Sequence, residues 1–320
     1  MLARYIYCVG SFLLLVLAPA CSRNGCPSAY SPPAIEPAIV IASNAMQEVS
    51  AFVAIGPRYS GSAGARKSAE HILQRMKSFN IPAVIDEFED GTPSGPVTFR
   101  NVLATIKGSS ERSIVLLSHY DTKAGIGDNF VGANDSGSST GLLIEMARAL
   151  KQMPMLFPTI ILAFVDGEEA QRSYGPNDGL HGSARLAKKF KASGKDKDID
   201  AVIVLDMIGD KDFNLLVPRN SSPNLAAMLF EAAKAEKIRN KVVLMEGMMY
   251  DDHVPFLDQG IKAVDIIDFT YTDGSGKNYW HTEMDTLDKL SAESLALSGR
   301  LAIRMINGIV KETIAAPGQD

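Results

Sequence analysis

The chain has 320 residues, 22% of them charged, and a formal net charge of −5. That length suits one large α/β domain or two ordinary ones, and a mild acidic balance without a long basic run excludes a nucleic-acid footprint. The three cysteines are Cys8, Cys21 and Cys26, so everything after position 26 lacks a thiol, which excludes both disulfide stapling of the core and a thiolate-ligated zinc there.

Arg4 precedes an apolar stretch from Ile6 to Leu17, followed by Ala18-Pro19-Ala20. This is too short to span a bilayer comfortably and has the shape of a secretory signal peptide over residues 1–20. The stretch Leu17-Ala18-Pro19-Ala20-Cys21 also resembles an imperfect bacterial lipobox with Cys21 as the lipidated residue; plain cleavage after Ala20 is the alternative. The expected location is therefore outside the cytoplasm, periplasmic or extracellular. Membrane contact would come only through an N-terminal lipid. Residues 21–37, rich in Ser, Pro and Gly, read as a flexible tether, and 38–316 as one folded domain.

Ile39, Ala42, Met46, Val49 and Val53 recur at helical spacing, and Gly56-Pro57 ends that helix. Residues 61–64 read as a loop, and Ala69, Ile72, Leu73, Met76 and Phe79 mark a second amphipathic helix. Residues 83–88 and 97–106 carry the β-branched side chains of strands, and 114–117 is a short apolar strand running into Ser118-His119-Tyr120-Asp121. After the Gly-rich stretch 132–137 a helix is predicted over 140–150, then a strand over 159–165 that ends in Asp166-Gly167-Glu168-Glu169. A loop with Pro176 leads to a helix over 183–190. Strands follow at 201–205, 242–244 and 263–267, with helices over 225–235 and 291–310. Strands alternating with helices predict a single three-layer α/β/α sandwich around a mostly parallel, mixed central sheet.

Several of these predicted strands end in acids or imidazoles. Adjacent side chains leaving a strand point in different directions, so one of Glu168 and Glu169 can bind a metal while the other faces substrate as a base. A solvated acidic loop is the ordinary alternative. His119, Asp135 before a helix, Asp206 and His281 each have an ordinary reading as well, Asp135 as a helix N-cap and a lone histidine as a satisfied structural group. Gathered at loop positions around one sheet, they instead form the ligand set of a catalytic zinc with an open coordination position.

The motifs His119-x-Asp121, Asn134-Asp135-Ser136-Gly137, Glu168-Glu169, Leu205-Asp206-Met207, Asp251-Asp252-His253 and Trp280-His281-Thr282 resemble those of the zinc aminopeptidase family that includes the glutaminyl-peptide cyclotransferases. The resemblance runs from about Ile39 to Val310 and implies a phosphorylase/hydrolase-like fold with 38–316 as a zinc-dependent catalytic domain. In the aminopeptidases it implies two zincs on His119, Asp135, Glu169, Asp206 and His281, bridged by an aspartate, with Glu168 as general base. In the cyclases it implies one zinc on Asp135, Glu169 and His281, while Glu168, Asp206 and Asp251 handle protons and the substrate amide. The long insertion over 170–183, the doubled Asp251-Asp252, and Trp280 directly before His281 resemble the cyclase branch. Tyr174 stands where animal cyclases carry a tryptophan, and Ser118 replaces one half of a disulfide found in animal enzymes.

The activity so implied converts the N-terminal glutamine of a peptide or protein to pyroglutamate with release of ammonia. Zinc would polarise the γ-carboxamide. Glu168 would move the proton of the α-ammonium to the leaving ammonia, its pKa raised by a buried acid such as Asp206. Asp251 would hold the carboxamide nitrogen, and Tyr174 and Trp280 would form apolar walls against water. A two-zinc aminopeptidase is the alternative. A catalytically dead binding domain would show eroded ligands, and none is eroded. His71 and His181 read as structural, and His253 as an internal hydrogen-bonding partner.

Overall fold

The apolar runs become strands of one eight-stranded sheet in a computed structural model that describes residues 32–315. The signal segment, Cys21 and the tether up to residue 31 lie outside the described residues. The strands are β1 (Ala83–Thr92), β2 (Gly95–Ile106), β3 (Ser113–His119), β4 (Thr159–Val165), β5 (Ile199–Asp206), β6 (Leu215–Val217), β7 (Val242–Leu244) and β8 (Ala263–Ile267), in the spatial order β1-β2-β4-β3-β5-β8-β6-β7. The central strands β4, β3, β5 and β8 run parallel. On one flank β1 and β2 pair antiparallel, as do β2 and β4. On the other, β6 meets β8 antiparallel through the single pair Leu216–Ile267 and runs parallel to β7.

Alternation along the central strands sends side chains to opposite faces. Ile114 and Leu116 of β3 join Ile160, Leu162, Ile203 and Leu205 in one core, covered by α1 (Ala42–Val53), α2 (Ala63–Ser78), α3 (Ser139–Lys151), α5 (Pro223–Ala235) and α7 (Ala292–Ala315). Val115 and Leu117 join Ala163, Val165, Val202 and Val204 in a second core under α4 (His181–Ser193) and α6 (Val254–Asp258). Every residue of β3 is buried, as a parallel strand covered on both faces requires. The predicted three-layer sandwich is the observed one.

Two local expectations need correction, and two short elements have no counterpart in the sequence reading. The loop predicted over 61–64 ends earlier, because Ser62 caps α2 by accepting from the Ala65 N–H at 3.0 Å. Gly64 then lies inside the helix, where a Cβ would stand 2.0 Å from the Pro57 carbonyl oxygen. Within the predicted tether, Ile35 is already buried, with its N–H donating to Asn307 Oδ1 and its carbonyl accepting from Asn307 Nδ2, both at 2.8 Å. The packed chain therefore begins before residue 38. β6 and α6 are too short to show as periodic segments, although Pro255 in the first turn of α6 is a helix-start signal.

Arg58, fully buried between α1 and α2, braces the approach to the strand ends. Its N–H donates to Thr122 Oγ1 at 3.0 Å, and its guanidinium donates to the carbonyls of Tyr120, Val131 and Gly132. Burial pulls its pKa down to about 10, against the opposing charges of Asp285, Asp135 and Asp121, so it stays charged at neutral pH. Arg58→Met leaves these carbonyls unpaired and is expected to lower unfolding stability by about 3 kcal/mol, read as a lower urea midpoint.

Candidate active site

The C-terminal ends of parallel strands are where an open α/β sheet places its loops and its sites. Here β3 ends on His119, β5 ends on Asp206, and the turn after β4 carries Glu168 and Glu169. That turn needs Gly167, whose φ is +79° and whose Cβ would stand 2.5 Å from the Phe99 ring. Asp135 lies in the irregular helical segment Ala133–Ser138 that leads into α3, and His281 lies in the loop between β8 and α7.

The structure brings all of these together. His281 Nε2 is 3.0 Å from Glu169 Oε1 and 3.3 Å from Asp135 Oδ2. His119 Nε2 is 3.2 Å from Asp135 Oδ1 and 3.2 Å from Asp206 Oδ1. Two groups that could hold a metal ion result, Asp135–Glu169–His281 and His119–Asp135–Asp206, each with its ligand atoms within 4.8 Å of one another. They share Asp135, which offers a different oxygen to each imidazole. The donors suit zinc, being imidazole and carboxylate only. Glu169 Oε2 is buried without a hydrogen-bond partner, its charged neighbour being Lys123 Nζ at 3.5 Å, which leaves it free to ligate a cation. A cavity of about 690 Å³, lined by Ile35, α5 and α7, lies away from both groups. A smaller one of about 360 Å³ borders Glu169 and Asp121.

Burial dominates the electrostatics. It pushes Glu169 up to about 7, with Asp135 adding to the shift and His281 opposing it. Burial also opposes charge on Asp135, yet His119 and His281 hold that carboxyl well below its usual range. Glu168 is raised well above the carboxylate range by burial, with His119 opposing and Asp251, Glu169 and Asp252 adding to it. The neighbour expected to raise it was Asp206; Asp251 takes that part instead. Asp251 is itself raised by burial and by Asp206 and Asp252.

The ligands are held in place by Asp121, which the His119-x-Asp121 motif names without a role, and by residues the sequence did not single out. Asp121 accepts from the Glu168 and Glu169 N–H groups, both at 3.2 Å, and its Oδ1 lies 3.5 Å from His119 Nδ1. Asp285 accepts from the Asn134 and Asp135 N–H groups at 2.7 and 3.1 Å and from the Tyr271 hydroxyl at 2.8 Å. Lys123 Nζ lies 3.5 Å from Glu169 Oε2. The only sequence signal for Asp285 is an acid one helical turn's spacing beyond His281.

Trp280 is half-buried and stacks on His281 with ring centroids 3.9 Å apart, with the Phe269 ring 4.9 Å away and the cluster of Met207, Ile267 and Tyr271 packed beside it. Tyr174 departs from the expected apolar wall, because its hydroxyl lies 2.8 Å from Glu168 Oε1. His181 stacks on Phe99 and pairs through Nδ1 with Asp90 at 3.0 Å, and His71 packs against Phe52. His253 is buried without a hydrogen-bond partner on either ring nitrogen; its nearest acid, Asp265, is 3.9 Å away, and burial pushes its pKa down to about 4. The expectation of an internal hydrogen bond there is not met. Ser118, where a disulfide half was noted as missing, donates through Oγ to the His119 carbonyl at 2.7 Å.

Buried imidazole–carboxylate groups at the C-terminal edge of a parallel sheet define a metal-dependent α/β enzyme centre. The chain belongs to peptidase family M28, whose model matches residues 101–306. It is similar to a glutaminyl cyclase of an Acidobacteriales bacterium, 37% identical with a TM-score of 0.81, over 90% of this chain and 99% of that one. It is also 28% identical to a Drosophila melanogaster glutaminyl-peptide cyclotransferase, over 93% of this chain and 90% of the relative. A Zn-dependent exopeptidase from Parabacteroides distasonis, at 23% identity, shares the fold with a TM-score of 0.72, over 83% of this chain and 98% of that one. Among the described residues, no helix is long and apolar enough to cross a membrane.

An asparagine at 285 offers one oxygen where two backbone N–H groups and a phenol now converge. Asp285→Asn is expected to weaken zinc binding about tenfold or more through misplacement of Asp135, measured by competition against a chromogenic chelator.

Proposed function

We propose that the chain is a zinc-dependent glutaminyl-peptide cyclotransferase, which converts N-terminal glutamine to pyroglutamate and releases ammonia. The observation that carries this reading is the pair of buried acids Glu168 and Asp251 accompanying the Asp135–Glu169–His281 group, in a chain similar to a glutaminyl cyclase over nearly its whole length. In this reading Asp135, Glu169 and His281 hold one zinc, which when bound supplies Lewis acidity toward the γ-carboxamide oxygen. Glu168 accepts a proton from the α-ammonium, the freed amine closes on the carboxamide carbon, and Glu168 passes that proton to the departing nitrogen. As ammonia leaves, the ionised Glu168 takes the second proton of the new ring nitrogen and returns it to the ammonia or to solvent. A carboxyl whose proton affinity is raised by burial is a stronger base once ionised, which suits proton removal from the amine. Asp251 holds the carboxamide nitrogen, and Asp206 supports the proton distribution around it. The Trp280 ring, stacked on His281, and the Tyr174 ring keep competing water from the amide.

A second reading, a zinc aminopeptidase, is favoured by one observation: His119 and Asp206 complete a second group around Asp135. For its place in the cell, the reading includes export on the 1–20 segment of a bacterial precursor, with Cys21 as a lipid attachment point and a catalytic domain whose packing extends back to Ile35.

Metal analysis of purified protein is expected to give one tightly held zinc per chain, and an N-terminal Gln peptide to release ammonia without release of free amino acid. Two zincs together with free leucine from a Leu-terminated peptide would establish the aminopeptidase instead. Glu168→Gln is expected to lower kcat about a thousandfold with zinc content unchanged.

A further inference from the structure

The segment between Glu169 and α4 is built more firmly than a surface excursion needs to be. The Asp178 carboxylate accepts from the backbone N–H groups of Gln171, Arg172 and Ser173 at 2.5, 2.9 and 3.0 Å. Gly175 and Asp178 also exchange backbone hydrogen bonds of 3.0 and 3.1 Å. The loop so pinned presents Tyr174. The phenol ring lies over Gly179, where φ is +83° and a Cβ would stand 2.6 Å from the ring. Its edge meets Tyr250, with centroids 6.1 Å apart at an interplanar angle of 65°.

Held in this way, the Tyr174 hydroxyl lies 2.8 Å from Glu168 Oε1. Among the described residues it is the only side chain hydrogen-bonded to the Glu168 carboxyl. Burial, with the charges of Glu168, Glu169 and Asp251, holds the phenol well above its usual range, so it remains protonated and donates. An apolar wall needs only the ring.

We propose that Tyr174 is a positioning residue for the reaction: its hydroxyl engages Glu168 Oε1 and fixes the carboxyl, leaving Oε2 as the oxygen that meets the substrate nitrogens. This inference rests on the reading of Glu168 as the proton carrier. Tyr174 keeps its own proton throughout, and no bond forms or breaks at it. A glutamate has several rotamers, and a reacting group held in one of them is worth more in the turnover step than in substrate binding.

Tyr174→Phe retains the ring contacts with Gly179 and Tyr250 and removes only the hydroxyl. Steady-state ammonia release from an N-terminal Gln peptide, run on the zinc-loaded protein, is expected to show kcat lowered about tenfold, as for loss of a hydrogen bond to a charged group, with KM within about twofold of the parent. Zinc content and Tm are expected to match the parent. Tyr174→Trp, which supplies a wall without that hydroxyl, is expected to share the loss in kcat. A Phe variant with kcat within about twofold of the parent would overturn the proposal, as would a loss carried by KM alone, which would place the hydroxyl on the substrate. A parent protein that releases no ammonia would instead overturn the cyclase reading. The same kcat–KM comparison would then be made with a Leu-terminated peptide, where Glu168 also serves as base.

Discussion

Keeping a dense set of carboxyl groups out of water is the constraint on which the strand-end region depends. Asp121, Asp135, Glu168, Glu169, Asp206, Asp251 and Asp285 are all buried there. An ionised carboxylate without a partner is very costly in such surroundings. The chain meets this in three ways. Asp121 and Asp285 are satisfied by backbone N–H groups. Asp135 and Asp206 face imidazoles. Glu168 and Asp251 are pushed toward the protonated form. Raised proton affinity is not confined to that pair, since burial also pushes Glu169 and Asp285 up to about 7, so the acids suited to chemistry are distinguished by where they sit and not by that shift alone.

The same division explains what could be read from the sequence. The central strands were legible because burial on both faces makes them unbroken apolar runs, and 159–165 matches β4 residue for residue. Asp135, Glu169, His281, His119 and Asp206 were legible because strand ends and pre-helix loops are where a metal centre must collect its ligands. Asp121, Asp285 and Arg58 were not legible as supports, since each acts on backbone groups far away in the chain. Asp285 reaches the N–H groups of Asn134 and Asp135, and Arg58 the carbonyls of Tyr120, Val131 and Gly132. No periodicity or local spacing records such a contact. The part played by the Tyr174 hydroxyl was hidden for a different reason, because an aromatic residue in a loop is first read for its ring.

The insertion after Glu169 shows how a loop acquires the precision of the scaffold. Its ends are fixed by β4 and α4, and its middle by one carboxylate that collects three N–H groups. A loop satisfied internally in this way does not depend on substrate to order it, and its side chains can be aimed.

Asp135 carries a thermodynamic consequence. One of its oxygens faces His281 and the other faces His119, so neither ligand group is complete without it. A cation that settles at one group draws on the charge that the other would offer. By linkage, each must change the other's affinity by the same factor. Metal affinity at either group is therefore a property of the pair.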